Sequence, residues 1–388
     1  MPWRERSPMD ERVQFISDYQ RQLFTITELC DRFGVSRKTG YKWIARYAAD
    51  GAAGLTSRSS RPGHSPQATD DGVVAAIEAL RRRHPTWGGK KILAVLTERE
   101  PTWSLPAVST ANDILKRAGL VIARRRRRTV GHPGYQASPV TEPNAVWTAD
   151  FKGQFRTTDA QLCYPLTVCD AWSRFLIRCH GLRAPTTAAA IAVFRRAFTE
   201  YGLPVRIRTD NGEPFAAASL GRLSRLSVWW IRLGISPELI APGSPQQNGA
   251  HERMHRTLKA ETTRPPARDL RAQQQRFRAF RRQYNSARPH EALGQRPPAR
   301  LYRASARPLP RRLDPLIYPG HYEVRRVTAP GVMWWHSKPV PISTVLIGEA
   351  IGLEPIDDGE WDLHFGPVRL GRFDERTRQI EPVGRRQP

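Results

Sequence analysis

Three acidic residues lie in segments whose patterns assign them to different secondary-structure elements: Asp150 in AVWTADFKG, Asp210 in VRIRTDNGEPF and Glu252 in SPQQNGAHERMHRTLK. A Pro-Gly-Ser-Pro turn stops the chain before the third segment, and nothing after Asn248-Gly249 breaks a helix, so Glu252 is predicted in a helix's first turns. Residues 252, 255, 256 and 259 then share a face, which sets His255, Arg256 and Lys259 beside Glu252 as a cationic ladder. Asp210 closes the short apolar run PVRIRTD, and Asp150 lies inside AVWTADF; each reads as a buried strand exposing one acid. Gathering three carboxylates is unfavourable unless a cation offsets their repulsion. Hard divalent ions such as Mg²⁺ bind through one or two carboxylates plus substrate phosphates, and a pair of them serves phosphoryl transfer. That is the chemistry predicted for Asp150, Asp210 and Glu252.

The same residues admit a rival. His251-Glu252-Arg253-Met254-His255 satisfies the H-E-x-x-H pattern, in which two histidines on one helical face bind Zn²⁺ and the glutamate is the base of a metalloprotease. Here the motif is flanked by Arg253, Arg256 and Lys259 rather than by apolar residues, and the zinc reading leaves Asp150 and Asp210 without a role. Asp210-Asn211-Gly212 alone is ordinary turn chemistry. The three acids in order, each in a suitable element, favour the joint reading.

Composition points the same way. Lysine plus arginine number 62 against 36 acids, a formal net charge of +26, which calls for a polyanionic partner. No apolar stretch of roughly eighteen residues exists to span a bilayer, and MPWRERSPMDERVQF lacks the apolar core of a signal peptide. Nucleic acid is the expected partner, with no membrane. Cys30, Cys163, Cys169 and Cys179 form no Cys-x-x-Cys pair and have no histidine at zinc-finger spacing. They read as small core residues suited to a reducing cytoplasm, and the expected location is cytoplasmic and nucleoid-associated.

At 388 residues the chain should hold two to four domains. Residues 1–50 read as a helix-turn-helix: Met9 to Gln20, then ITELCDRF, a Gly34-Val35 turn and Ser36 as N-cap of RKTGYKWIARY. Arg37, Lys38, Thr39, Tyr41 and Lys42 are the candidate base readers or phosphate contacts; Gly40 in mid-helix is unfavourable to the pattern. Residues 51–69 form a Gly/Ser/Pro-rich linker. Residues 70–122 hold a second helical module with Trp87 as a packing anchor, and 123–143 a basic linker containing Arg124 to Arg128. From 144 to 305 the pattern becomes α/β: three strands as an antiparallel meander, a helix from Thr186, a returning strand ending at Asp210, the Glu252 helix and DLRAQQQRFRAFRRQYN. Asp170 in DAWSR reads as a hairpin turn, and His290 as a loop residue rather than a proton carrier. Residues 306–388 carry short, closely spaced strands, predicted as a small β-barrel with at least two of Trp334, Trp335 and Trp361 in its core.

The acid triplet, Asp-Asn-Gly after the second acid and Pro-Gln-Gln-Asn-Gly before the third resemble the Asp-Asp-Glu catalytic core of retroviral integrases and bacterial insertion-sequence transposases. HERMHRTLK, SRLSVWWIRLGI and YNSARPHEALG most resemble the insertion sequence 481 family. The resemblance implies an RNase H-like core and Mg²⁺ or Mn²⁺, two ions per site, on Asp150, Asp210 and Glu252. It also implies that the N-terminal helices bind terminal repeats, that His255, Arg256 and Lys259 hold the DNA end, and that the product is end cleavage followed by strand transfer. A second helix-turn-helix and an SH3-like terminal domain are implied as well, and the need to bring two ends together implies a homo-oligomer. The insert containing LSRLSVWWIRLG departs from retroviral integrases and is expected to lengthen a core helix. The alternative of another class is a DNA-binding repressor or relic without catalysis.

Overall fold

The computed structural model describes residues 7–58, 68–121, 138–241 and 248–383; Arg124 to Arg128 and the lead-in Ser244 to Gln247 lie outside them. The chain divides into two compact units, Met1–Ala68 and Thr69–Pro388.

In the first unit, α1 (Pro8–Gln20), α2 (Ile26–Arg32) and α3 (Arg37–Asp50) begin at Ser7, Thr25 and Ser36, whose side chains each accept a backbone N–H of the first turn. Phe15, Ile16, Leu29 and Cys30 form the buried centre, with Trp43, Ile44 and Val35 against it. Gly40 is explained by that packing: a Cβ there would stand 2.6 Å from Cys30 Sγ and 3.1 Å from Phe15 Cζ, so only glycine lets α3 approach. The start of the expected linker is folded, because Gly51–Leu55 forms a 3₁₀ turn that buries Leu55 in this core.

The second unit opens with α4 (Asp71–Arg83), α5 (Gly89–Arg99) and α6 (Val108–Arg117), which enclose Ile77, Ile92, Leu96, Ile114 and the buried Trp87. Next come β1 (Val146–Phe151), the short β2 (Phe155–Arg156), β3 (Leu162–Asp170), β4 (Leu176–Leu182), α7 (Thr187–Tyr201) and β5 (Arg206–Thr209). Antiparallel β1, β3 and β4 make the expected meander, and β5 returns parallel to β1. Then α8 (Arg225–Arg232) leads to β6 (Ser236–Leu239), parallel to β5 at the sheet's end. The sheet is therefore mixed. The insert makes this separate helix and strand instead of lengthening a core helix. Its α8 has two apolar faces: Leu226 and Trp230 enter the main core, while Val228 and Ile231 enter the C-terminal one.

Two long helices, α9 (Gly249–Thr262) and α10 (Leu270–Ser286), cover the other sheet face through Met254, Leu258, Phe277 and Phe280. α10 also seals the edge of β4. Gln274 bonds Gly181 N and Cys179 O, Arg281 bonds Ile177 O, and Asn285 bonds both backbone groups of Leu176. These side chains satisfy an edge that would otherwise offer free donors and acceptors.

The C-terminal strands are β7 (Glu323–Arg326), β8 (Val332–Trp335), β9 (Lys338–Pro341), β10 (Ala350–Asp357), β11 (Glu360–Phe365), β12 (Val368–Asp374) and β13 (Gln379–Pro382). They form an open five-stranded antiparallel sheet, β13-β12-β11-β10-β7, and a separate β8-β9 pair, so the expected barrel is not closed among the described residues. Pro339 and Pro341 deprive β9 of N–H donors, which confines it to an edge. Trp335 is buried and Trp361 packs against the same core, whereas Trp334 is 52% exposed. Among the described residues no helix is long and apolar enough to cross a membrane.

Candidate active site

β1 and β5 pair in parallel with Thr148 beside Arg208. Carried two residues further, that register sets Asp150 beside Asp210, which directly follows β5. The turn after β5 holds Asp210 in place: Gly212 N–H donates to its Oδ1 at 3.2 Å, and Asn211 Nδ2 donates to Ile240 O at 2.9 Å. Turn and acid are thus one device. Glu252 lies exposed in the first turn of α9, close enough for its charge to act on Asp150.

Burial, then the charge of Asp210 and more weakly that of Glu252, push the Asp150 carboxyl from 3.8 up to about 7; Lys152 opposes them. This is the signature of a buried acid lacking a positive partner. Among the described residues no three His, Cys, Asp or Glu side chains stand close enough to enclose an ion by themselves. The acids share a field without completing a cage. That suits a hard divalent ion, which takes one or two carboxylates and fills its shell with water and phosphate oxygens.

The helix face differs from expectation at His255. Residues 251, 254, 255, 258 and 262 form the buried stripe of α9, and His255 belongs to it, because it follows His251 by one turn and precedes Leu258. Its Nε2 lies 2.6 Å from Thr167 Oγ1 and its Nδ1 3.5 Å from Asp150 Oδ2. Burial, His251 and Lys152 lower its pKa to about 2, so it is neutral and is not part of a cationic ladder open to DNA. Arg256 and Lys259 remain exposed with Glu252. The zinc reading loses its ligands. His251 places Nδ1 2.8 Å from Thr148 Oγ1 and Nε2 2.6 Å from Thr167 Oγ1, leaving no ring nitrogen for a metal.

Thr148, Thr167 and Lys152 escaped the sequence reading. Alternation along β1 and β3 places Thr148 and Thr167 on the Asp150 face, but only pairing reveals that Thr167 lies opposite Asp150. Asp170 is buried and accepts Asn144 N, Ser173 N and Ser173 Oγ, as a turn residue does. His290 packs edge-on against Tyr284 in the loop after α10.

On α3, Arg37, Lys38, Tyr41 and Lys42 are exposed, and Thr39 is half-buried with Oγ1 3.0 Å from Ser36 Oγ. The second helical module docks on the core through polar groups. Thr86 Oγ1 and Arg288 Nη1 reach Glu261 Oε1 at 2.6 and 3.0 Å, Lys90 pairs with Glu291 at 2.7 Å, and Lys91 Nζ donates to Pro289 O.

The chain is similar to known proteins over several segments. The Integrase core domain family matches residues 140–245 and 233–298, which together include all three acids. A Helix-turn-helix domain matches 11–63 and a Homeodomain-like domain 39–115. Relatives include an uncharacterized 39.2 kDa protein of insertion element IS476 from Xanthomonas euvesicatoria, 26% identical over 64% of this chain and 70% of its own. Another is a 31.7 kDa protein of insertion element IS407 from Burkholderia multivorans, 28% identical over 62% of this chain and 85% of its own. Transposase InsD of insertion element IS2 from Escherichia coli is 27% identical over 63% and 83%. A chain of the simian T-cell lymphotropic virus intasome aligns at 17% identity and a TM-score of 0.38, over 80% of this chain and all of that one.

Proposed function

We propose that this chain, a DNA transposase with an integrase core and helix-turn-helix domains, binds the terminal inverted repeats of its own element and catalyses end cleavage and strand transfer on Asp150, Asp210 and Glu252. The observation that carries the site assignment is the parallel register placing Asp150 beside Asp210, in a field that raises the Asp150 carboxyl to about 7. Asp150 lies on β1, Asp210 directly follows the neighbouring β5, and Glu252 approaches from α9. The three would hold two Mg²⁺ or Mn²⁺ ions, which when bound activate the attacking oxygen and offset charge on the phosphoryl group.

In the first step water attacks the phosphorus at the element's end, and the broken P–O bond leaves a 3′-hydroxyl. In the second that hydroxyl attacks a phosphodiester of target DNA in the same site, and the target's own 3′-oxygen departs. Arg256 and Lys259, exposed on the face of α9 that carries Glu252, would hold backbone phosphates of the end. Arg37, Lys38, Thr39, Tyr41 and Lys42 would read or grip the repeat from α3. Labour is divided between end binding in residues 1–50, support from 70–122, catalysis in 144–305 and the terminal β domain from 306. Two ends must meet for joining, so the working form is a homo-oligomer.

The test is a labelled duplex carrying the DNA that flanks this gene, incubated with Mg²⁺, Mn²⁺ or EDTA. Metal-dependent nicking at a repeat end, absent in Asp150→Asn, Asp210→Asn and Glu252→Gln, is the expected result. Tight binding without nicking under either metal would instead make the chain a repressor or relic.

A further inference from the structure

Behind Asp150 runs a closed chain of polar side chains for which the three-acid reading has no use. Thr167 is fully buried, His251 is 2% exposed and His255 is 5% exposed. Thr148 Oγ1 lies 2.8 Å from His251 Nδ1, Thr167 Oγ1 lies 2.6 Å from both His251 Nε2 and His255 Nε2, and His255 Nδ1 lies 3.5 Å from Asp150 Oδ2.

Proton counting constrains this chain. The Thr167 hydroxyl has one proton, and each neutral imidazole has one N–H and one bare nitrogen. Thr167 cannot donate to both rings, so at least one ring must donate to it. An ionised Asp150 only accepts, which requires His255 to carry its proton on Nδ1 and to leave Nε2 bare. Thr167 must then donate to His255 Nε2, His251 Nε2–H must donate to Thr167 Oγ1, and His251 Nδ1 accepts from Thr148. Two other arrangements remain: Thr167 donates to Asp150 O at 3.1 Å, or it donates to His251 Nε2 while His251 Nδ1–H donates to Thr148, whose own hydroxyl reaches Cys169 O at 3.4 Å. In both, His255 Nε2–H donates to Thr167 and the bare Nδ1 of His255 faces the carboxylate, which repels it.

We infer that Thr167, held by His251, sets the tautomer of His255 so that its Nδ1–H orients the Asp150 carboxylate. The inference rests on Asp150 being a working acid of the site. His255 and Thr167 are positioning residues, and the H-x-x-x-H spacing that mimics a zinc motif serves a neighbouring carboxylate. Outer partners that orient a metal-binding side chain are commonly worth tenfold to a hundredfold in metal affinity.

The test uses the full chain labelled with ¹⁵N-histidine, whose ring shifts separate the two tautomers, together with calorimetric Mn²⁺ binding. Wild type is expected to show His255 protonated at Nδ1. Thr167→Val should shift that tautomer and weaken Mn²⁺ binding by roughly tenfold or more, with repeat-end affinity unchanged, and Thr167→Ser should restore both. If Thr167→Val does not fold, His255 is compared as Asn and Ala. His255→Asn keeps a donor near Nδ1 and should retain more Mn²⁺ affinity than His255→Ala. An unmoved tautomer with unmoved Mn²⁺ affinity in Thr167→Val, no rescue by serine, or equal Asn and Ala variants would overturn the inference. Normal cutting by Asp150→Asn would defeat the site assignment itself, a result distinguishable from all of these.

Discussion

The proposed acid site and the proposed DNA-reading helix α3 would meet the same polyanion with opposite surfaces. The side chain of Asp150 is 20% exposed, set against the wholly buried Thr167 and a neutral His255. On α3 Tyr41 is 56% exposed, and Arg37, Lys38 and Lys42 stand in solvent beside it. Chemistry at phosphorus needs charge that is desolvated and fixed before the substrate arrives. Gripping a duplex needs cations in water, where displaced counterions supply the driving force. The two regions should therefore fail separately, one in rate and the other in affinity.

The largest separation is expected from the acids. Asp150→Asn, Asp210→Asn and Glu252→Gln should each lower nicking by at least about a hundredfold, because a ligand should matter no less than the outer groups that orient it. Repeat-end affinity, measured by fluorescence anisotropy, should stay within about twofold of wild type on the order of an ordinary surface change. Loss of affinity to match the loss of rate would merge the two regions.

The field on Asp150 adds a pH signature to the acid site. Its pKa rises from 3.8 to about 7 on folding, so the folded state holds the proton more tightly than the unfolded one. This contribution to stability is fully present below about pH 4 and is lost as pH rises through about 7. Metal-free protein should therefore lose stability across that window more steeply than Asp150→Asn, as read by thermal melting. Mg²⁺ should raise the melting temperature more at pH 8 than at pH 6, because at pH 6 it competes with a proton. Parallel melting curves for wild type and Asp150→Asn at every pH would remove the claim that Asp150 is a strained acid.

On the other side, Arg37→Ala and Lys42→Ala should weaken end binding and reduce the slope of log affinity against log salt by roughly one per lost phosphate contact. Nicking at saturating DNA should be unchanged. An unaltered salt slope would move recognition to another module.

Legibility in the sequence followed the range of the forces involved. Helix starts were readable because caps are local: Ser36 and Thr186 sit where the pattern placed them and accept the expected N–H groups. The strand type around Asp150 followed from its short apolar run, and the helix type around Glu252 from the absence of a breaker after Asn248-Gly249. What failed depended on partners far along the chain. His255 shares a helical turn's spacing with both the exposed Glu252 and the buried His251, and only the sheet beneath α9 decides which face it joins. The strand Ser236–Leu239 contains Pro237 and four half-buried positions, so nothing in it alternates; pairing with β5 makes it a strand. Strand spacing carries no information about closure, so the short C-terminal strands predict a barrel where the structure has an open sheet.

Gly40 offers the smallest and most local test of the contrast, since it lies on α3 but faces inward. By helix propensity alone, Gly40→Ala in mid-helix should stabilise by roughly 1 kcal/mol. Against that, the added Cβ would come within 2.6 Å of the Sγ of Cys30, itself 1% exposed, and 3.1 Å of Phe15 Cζ. Overpacking of this kind costs about 1–3 kcal/mol, so the net expectation is a lower melting temperature for the first unit. Shortening the obstructing residue separates the two effects: Gly40→Ala in a Cys30→Ala background should cost less than in wild type, a coupling that a double-mutant cycle reads directly. Because Gly40 faces away from the exposed row of Arg37, Lys38, Tyr41 and Lys42, repeat-end affinity below the melting temperature should not change. Stabilisation by Gly40→Ala would mean that α3 stands further from α2 than the structure places it, and the identification of its exposed row would fall with it.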